Sequence, residues 1–325
     1  MVCTCSNISL RVIKSSTRFG NNPRLILVDV FEQAMLVPDR IRDCCCFVYC
    51  DLPTEGRKLI GTGFFIVEEI LIGRDSPPLG LYYVVTAKHI LHDAKKYALK
   101  EFGISNLPTG IRVNTFKGES TDIDIPDGLW LHHPNDASVD VAISPIVMPN
   151  SWKGTMLRTS HALSAEIINK EGIGIGDEVF LIGLFQKHPG VRKNLPIIRV
   201  GNVAMMPEEP IETDNGLIDA YLIECRSLSG LSGSPVFVVF RNPKHNREST
   251  FYWMGLMYGH WNVDNTSDST IGQNSEPLNT GIGIVVPAYK ILEVMNQEKL
   301  IAWKKAQQKE AKFLAFPTPD KSLLG

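Results

Sequence analysis

The chain has 325 residues, of which 44% are hydrophobic, and a formal net charge of −2. A chain of this length can bury roughly 75% of the surface that its unfolded form exposes, and its length suggests about two domains. The near-neutral charge argues against a dedicated nucleic-acid-binding protein, because such proteins carry a broad cationic field.

The seven cysteines predict neither a disulfide framework nor a metal site. Their number is odd and three are adjacent, at 44–46. Alternate residues of a strand face opposite sides, so these three cannot join one ligand set, and no Cys-x-x-Cys or Cys/His zinc spacing occurs. We therefore expect reduced structural thiols and no metal or cofactor.

The N-terminal residues show no basic stretch followed by an apolar core, and no apolar run reaches about 18 residues. These features predict a cytoplasmic protein with no signal peptide and no membrane-spanning helix. No membrane partner is expected.

In chain order, residues 1–40 are mixed in composition and are interpreted as an N-terminal extension. From residue 41 the sequence changes to short apolar runs separated by turn residues, a pattern typical of strands. His89 follows the third run, at the start of a short helical turn. The pattern predicts strands over 45–49, 62–67, 81–86, 111–116, 128–131 and 139–146.

A loop over 149–163 separates two halves, and the linker between them is placed at 151–170. The second half repeats the strand pattern, with Gly, Pro and Asn between runs, which favours an all-β sandwich or pair of barrels over βαβ units. After Pro287, a partial apolar stripe over 289–316 predicts one C-terminal helix. The strands predicted here are 178–183, 197–203, 220–225, 235–240, 251–258 and 281–286.

A serine sits in a small Gly-rich turn, residues 229–234, directly before an apolar run. A serine hydroxyl is a poor nucleophile until a base removes its proton, and an imidazole can do so near neutral pH. The backbone N–H groups of Gly230 and Ser232 could converge on a reacting oxygen, as acyl transfer requires. Ser232 is therefore the candidate nucleophile, and Gly230 with Ser232 the candidate oxyanion hole.

Two upstream segments supply the remaining groups. His89 ends the apolar segment 84–89, and Asp140 leads into the apolar residues 141–143. A buried carboxylate is needed to hold the imidazole in the correct tautomer and to stabilise the imidazolium. We assign the general base to His89 and the supporting acid to Asp140.

Other acids and histidines fit less well. His92 lies three residues after His89, but no third ligand has metal spacing, so it is interpreted as a surface histidine. His132 and His133 adjoin a proline and are interpreted as loop residues. The competing acids lie in a polar, loop-like stretch: Asp122, Asp124, Asp127 and Asp136.

Two other motifs are disfavoured. The glycines of 172–176 suggest a nucleotide-binding loop, but no helix and no downstream acid follow, and a turn before a strand explains them better. An α/β-hydrolase places its serine before its acid and histidine, which is the opposite of the order here.

These segments resemble the chymotrypsin-like (trypsin-fold) serine peptidases, and most closely the bacterial trypsin-like branch that includes the HtrA and glutamyl-endopeptidase types. The resemblance covers roughly residues 41–300. It implies two perpendicular six-stranded β-barrels, at 41–150 and 171–287, followed by a helix and tail at 288–325, with the triad in the cleft between the barrels. The segments that carry it are 61–66, 86–89, 140–143, 176–179, 230–235, 254–257 and 283–287.

The chain departs from the family pattern in three ways. Leu231 stands where digestive enzymes have the Asp that pairs with a newly cleaved N-terminus, so activation by zymogen cleavage is not expected. Ser234 replaces the usual second Gly, as in the glutamyl-endopeptidase type. The family's disulfides have no matching cysteines. A PDZ domain is also not expected, since fewer than 40 residues follow the last predicted strand.

The resemblance also implies the place of a specificity pocket. Its wall would involve Tyr258, Gly259 and His260, and its base would lie near Arg226 and Ser227. The histidine and the arginine could favour an acidic substrate side chain, or they could face solvent.

The expected function is therefore hydrolysis of peptide bonds in a protein or peptide substrate through an acyl-enzyme. Two alternatives remain open at this point. One is a catalytically silent trypsin-fold scaffold, and the other is a protease that a regulatory protein or ligand activates by ordering the oxyanion loop.

Overall fold

The computed structural model describes residues 37, 39–73, 76–213, 216–225, 230–241, 249–263 and 278–315. The predicted extension at 1–40 lies almost entirely outside these ranges, as does the end of the chain beyond 315. None of the helices within the described ranges combines the length and apolarity of a membrane span.

The first half forms a seven-stranded sheet after a 3-10 turn over Asp39–Cys44. The strands are β1 (Cys45–Leu52), β2 (Gly56–Ile70), β3 (Leu79–Thr86), β4 (Thr109–Asn114), β5 (Ser120–Asp124), β6 (Ala142–Pro145) and β7 (Leu157–Arg158). Six strands are antiparallel in the order β5-β4-β1-β2-β3-β6, and β7 pairs with β2 in parallel.

The second half forms a closed six-stranded barrel in the order β12-β15-β14-β13-β8-β9, with β10 and β11 as a separate hairpin. Its first strand has the bounds that the sequence predicts. The strands are β8 (Glu178–Gly183), β9 (Ile197–Met205), β10 (Ile211–Thr213), β11 (Gly216–Ile218), β12 (Tyr221–Glu224), β13 (Pro235–Arg241), β14 (Ser249–Val263) and β15 (Leu278–Pro287).

The fold is thus mostly β with a closed barrel. Two closed barrels were expected, and among the described residues only the second half forms one. Within the described residues, the first sheet ends at β5 and β6. The intervening segment touches β6 through one bridge, Leu131 to Ile143. Pro126 and Pro134 flank this bridge and cannot donate to a strand ladder, which limits the pairing to that point.

Three local expectations are wrong. The predicted strand at 128–131 is a 3-10 turn over Asp127–Leu129, because Pro126 precedes it and the carbonyls of 126 and 127 accept the backbone bonds of residues 129 and 130. The polar stretch read as a loop contains β5, whose edge position tolerates exposed acids. The loop predicted at 149–163 contains β7 and a 3-10 turn, Thr159–His161.

The helices also differ from expectation. The short turn at His89 is a full helix, α1 (Lys88–Phe102), which buries Ile90, Leu91 and Ala98 and ends at Gly103 with φ +69°. An unpredicted short helix, α2 (Ala165–Glu171), follows β7. The C-terminal segment divides into α3 (Ala288–Met295) and α4 (Glu298–Ala315), because the carbonyl of Gln297 starts a new set of helical hydrogen bonds.

One apolar core joins the two halves. Its largest cluster takes residues from β2, β3, β8, β13, β14 and α3. The rings of Phe64 and Trp253 meet across the boundary with their centroids 6.3 Å apart. The turn before β13 lies against β2 of the first sheet through Thr62, and the candidate site lies there.

Candidate active site

His89 and Asp140 are held together by two hydrogen bonds. His89 is the second residue of α1, and Asp140 precedes β6. The Nδ1 atom of His89 lies 2.6 Å from Oδ2 of Asp140, and the backbone N–H of His89 donates to Oδ1 at 2.7 Å. Because Nδ1 faces a carboxylate, it carries the proton, and Nε2 is left as the basic nitrogen.

The environment of this pair suits an acid that supports a base. The Asp140 side chain is completely buried, whereas 28% of the His89 side chain is exposed. Burial acts to lower the pKa of His89, but the hydrogen bond and the charge of Asp140 outweigh it, so the pKa lies above its ordinary value. The imidazolium is therefore stabilised where it would form.

The other histidines near this segment contact other groups. Nδ1 of His132 lies 3.3 Å from the carbonyl of Val141, and burial lowers the pKa of His132. Nε2 of His133 lies 3.2 Å from Glu293 on α3, and His92 is exposed on α1. Asp140 is thus paired with His89. Within the described residues, no group of three metal-ligating side chains occurs.

Ser232 lies in a tight turn directly before β13 and is half-buried. Gly230 and Gly233 flank it with φ of +97° and +81°, a region that favours glycine. A Cβ on Gly233 would lie 2.0 Å from the carbonyl oxygen of Thr62, so no other residue fits there without rearrangement. The backbone N–H of Gly233 donates to the Met257 carbonyl at 2.8 Å, which fastens the turn to β14.

Thr62 on β2 connects this turn to the first half, a role the sequence analysis did not assign. Its backbone N–H donates to the Ser232 carbonyl at 3.0 Å, and its hydroxyl donates to the Gly230 carbonyl at 2.8 Å. The hydroxyl also accepts from the Leu184 N–H at 2.8 Å. Thr86, three residues before His89, donates to the Thr62 carbonyl at 2.7 Å. The turn with Ser232 and the strand leading to His89 therefore share one hydrogen-bonded residue.

The two candidate oxyanion donors lie on the turn that carries Ser232. The backbone N–H groups of Gly230 and Ser232 donate to no other residue in the described part of the chain. Two free N–H groups on one glycine-bent turn can converge on a ligand oxygen, as stabilisation of a developing oxyanion needs.

Leu231 and Ser234 take buried positions on either side of Ser232. Leu231 is fully buried in the apolar core of the barrel. Ser234 is also fully buried, and its hydroxyl finds no partner among the described residues. A Cβ at Gly183 would lie 2.0 Å from the Ser234 hydroxyl, so the serine fits because glycine stands opposite it on β8.

The predicted specificity residues are only partly placed. Tyr258, Gly259 and His260 lie on β14 and are half-buried, and the Tyr258 ring centroid is 5.5 Å from that of His89. The expected pocket wall is thus adjacent to the candidate base. Arg226 and Ser227 lie outside the described residues.

Comparisons with known proteins give no family assignment. No protein-family model matches the chain, and no curated protein matches it. Among solved structures it is similar to the MamO protease domain from Magnetospirillum magneticum, with 13% identity, a TM-score of 0.44, and coverage of 80% of this chain and 99% of that one. It is similar to Deg5, with 15% identity, a TM-score of 0.43 and coverage of 78% and 87%.

A third similar structure is an inactive form of Rv3671c from M. tuberculosis H37Rv. The identity is 16%, the TM-score is 0.38, and the match covers 78% of this chain and 87% of that one. With TM-scores below 0.5, these three likenesses carry no weight in the assignment of function, which rests on the residues of this chain.

Proposed function

We propose that this chain is a serine endopeptidase that hydrolyses proteins or peptides through an acyl-enzyme. The observation that carries the proposal is the 2.6 Å contact between Nδ1 of His89 and the fully buried carboxylate of Asp140. A buried acid that orients an imidazole in this way is the arrangement that lets the opposite ring nitrogen act as a base.

In the proposed reaction, the Ser232 hydroxyl oxygen attacks the substrate carbonyl carbon as Nε2 of His89 takes its proton. The carbonyl oxygen becomes an oxyanion, and the N–H groups of Gly230 and Ser232 donate to it. The imidazolium then protonates the amide nitrogen, the C–N bond breaks, and the amine leaves. Water, deprotonated by His89, hydrolyses the ester and regenerates the Ser232 hydroxyl.

The proposal includes several finer features. The two halves act as the two barrels of the trypsin fold, with the triad between them, in a cytoplasmic protein. The buried, uncharged Leu231 supports activity without an ion pair to a new N-terminus, since leucine offers no carboxylate. Tyr258, Gly259 and His260, with Arg226 and Ser227, form the proposed specificity pocket. A regulatory partner or ligand that orders the oxyanion turn would raise the activity above that of the protein alone.

A serine-directed fluorophosphonate probe tests the proposed nucleophile. Wild-type protein is expected to become labelled, and Ser232→Ala is expected to lose labelling completely. Ser234→Ala is the matched control, because its hydroxyl is buried two residues away and should leave labelling intact. A folded wild-type protein that stays unlabelled would instead favour the silent scaffold.

Peptide-library profiling then tests the endopeptidase assignment. Wild type is expected to cleave internal peptide bonds, with Ser232→Ala inactive. Enrichment of acidic residues before the scissile bond would indicate that cationic side chains line the specificity pocket. Labelling without cleavage of any peptide would restrict the function to another acyl substrate.

A further inference from the structure

A cavity lies where the 3-10 turn Asp39–Cys44, the β4–β5 connection and the 184–196 loop meet. Its volume is about 530 Å³, and His89, Asp140 and Ser232 do not line it. One carboxylate, Asp43, faces it, and Nζ of Lys153 lies 3.8 Å from that carboxylate. The cationic side chains that line it are Arg40, Arg42, Lys153 and Lys193.

The cavity wall is held in place by hydrogen bonds between the 184–196 loop and the first sheet. Asn194, 3% exposed, and Asn114 bond reciprocally, with the Asn194 N–H donating to Oδ1 of Asn114 at 2.7 Å and Nδ2 of Asn114 donating to the Asn194 carbonyl at 3.2 Å. Nδ2 of Asn194 also donates to the Arg112 carbonyl at 2.6 Å. These bonds hold the 184–196 loop on the first sheet.

Further contacts fix the middle of the 184–196 loop, at residues 190–192. The Arg112 guanidinium donates to the carbonyls of Gly190 and Val191, each at 3.0 Å. The backbone N–H of Ser120 donates to the Arg192 carbonyl at 2.8 Å. The basic side chains of the loop are therefore presented on a fixed backbone, which lowers the entropy cost of binding.

The cavity also carries apolar surface. Phe116 is 73% exposed and Leu195 is 38% exposed, and both line it. A large exposed aromatic side chain beside several cations matches a ligand that has negative charges and an apolar group close together.

We propose that this cavity is a docking site for an acidic segment of another protein, one that combines Asp or Glu with an apolar side chain. Arg42 already has an interaction partner. Without it, the charge complementarity is three cations, Arg40, Lys153 and Lys193, to one carboxylate on the cavity lining. A nucleic acid or an anionic membrane is disfavoured because the chain as a whole has a net charge of −2 and so lacks the broad cationic field that those surfaces recruit.

The 184–196 loop links this site to the proposed oxyanion turn. An ideal Cβ built on Gly230 would lie 3.0 Å from the Leu184 carbonyl oxygen and 2.9 Å from Cγ of Gln186. These two residues of the loop therefore fill the space beside the α-carbon of Gly230. The docking site thus uses the loop whose other end supports Gly230. The binding claim itself does not depend on the proposed protease activity.

Fluorescence anisotropy of a short labelled peptide of Asp and Glu around a single Phe tests the site. Wild type is expected to bind it, and the double variant Lys153→Gln/Lys193→Gln is expected to bind about fivefold or more weakly, as loss of two exposed ion pairs implies. The matched control, Lys299→Gln/Lys305→Gln, removes the same charge from exposed positions on α4 and should bind as wild type does. Phe116→Ser should also weaken binding.

Three results would overturn the proposal. One is absence of binding to folded wild type, and another is equal weakening in the cavity and control variants, which would indicate general charge attraction. The third is tighter, cavity-dependent binding of a single-stranded oligonucleotide, of anionic lipid vesicles or of inorganic phosphate. A Ser232→Ala protein that still binds the peptide would show that docking does not depend on the proposed catalysis.

Discussion

Both carboxylate oxygens of Asp140 bond to the same residue, one to the His89 ring and one to its backbone N–H. The acid therefore sets the ring orientation and also bonds to the first turn of α1. At this scale, the side chains of the candidate site are positioned by few bonds, each with a definite donor and acceptor. Two substitutions test them.

Replacing Asp140 should alter both the rate and its pH dependence. Protonation of His89 should slow fluorophosphonate labelling as the pH is lowered. Because the pKa of His89 is raised, this loss of rate should occur at a pH above the ordinary histidine pKa of about 6.5. In Asp140→Asn the support for the imidazolium is lost, so this fall should move to lower pH, and the maximal rate should drop about a thousandfold or more.

Labelling rates measured across pH check this expectation. Asp136→Asn is the control, since Asp136 lies in the same loop but bonds to Ser138. An unchanged pH profile in Asp140→Asn would contradict the role given to the pair.

Gly233→Ala should disrupt the turn that carries Ser232. The φ of +81° disfavours any side chain, and the new Cβ would meet the Thr62 carbonyl at 2.0 Å. We expect a loss of more than about 2 kcal/mol in the free energy of unfolding, with slower labelling. Gly128→Ala, where a Cβ meets nothing within 4 Å, is the control in urea unfolding, and equal effects would argue against a strained turn.

At the scale of elements, α3 packs against the segment that leads to Asp140. Ala288, Ile291, Val294 and Met295 are buried in the same cluster as Val139 and Val141. Polar contacts extend this packing: Glu293 lies 3.2 Å from His133, and Nε2 of Gln297 lies 3.3 Å from the His132 carbonyl. The helix that follows β15 thus supports a loop that belongs to the first half.

Truncation of Ile291 tests this support. Ile291→Ala should reduce the free energy of unfolding by about 2–5 kcal/mol, because the side chain is completely buried and leaves a cavity. Ile301→Ala on α4, where the side chain is 37% exposed, should cost much less. Urea unfolding of both variants is the measurement, and similar losses would show that α3 is not part of the core.

For the molecule as a whole, the meeting of the two halves depends on a shared apolar core and on Thr62. This residue of the first sheet bonds to Ser232, Gly230 and Leu184 of the second half. Its hydroxyl is buried, so its removal would leave a carbonyl and an N–H without a partner.

Thr62→Val should therefore lower the free energy of unfolding by about 1–3 kcal/mol and slow labelling of Ser232. Thr62→Ser keeps the hydroxyl and should restore most of the labelling rate. Valine and serine variants with the same labelling rate would mean that the hydroxyl does not position the turn.

The sequence predicted most strands because their apolar residues run between turn residues, as at β8 and β13. It missed β5, whose exposed Asp122 and Asp124 give no apolar signal, and it predicted a strand at 128–131 where Pro126 favours a turn. It read His89 as the start of a short turn because the apolar stripe of α1 consists of only three buried residues. Local sequence patterns identify elements that bury a regular apolar face. They fail where a strand lies at a sheet edge or where a few backbone hydrogen bonds determine the conformation.

The sequence by itself determined the candidate residues of the site and their order along the chain, because a histidine after a strand, an acid before one and a serine in a glycine turn are local features. Tertiary structure alone decided that both carboxylate oxygens of Asp140 bond to His89, that Thr62 joins the halves, and that basic residues from three separate segments line one cavity. The physical reason is that these contacts join residues far apart in the chain, and their geometry is fixed only when both halves close around one core.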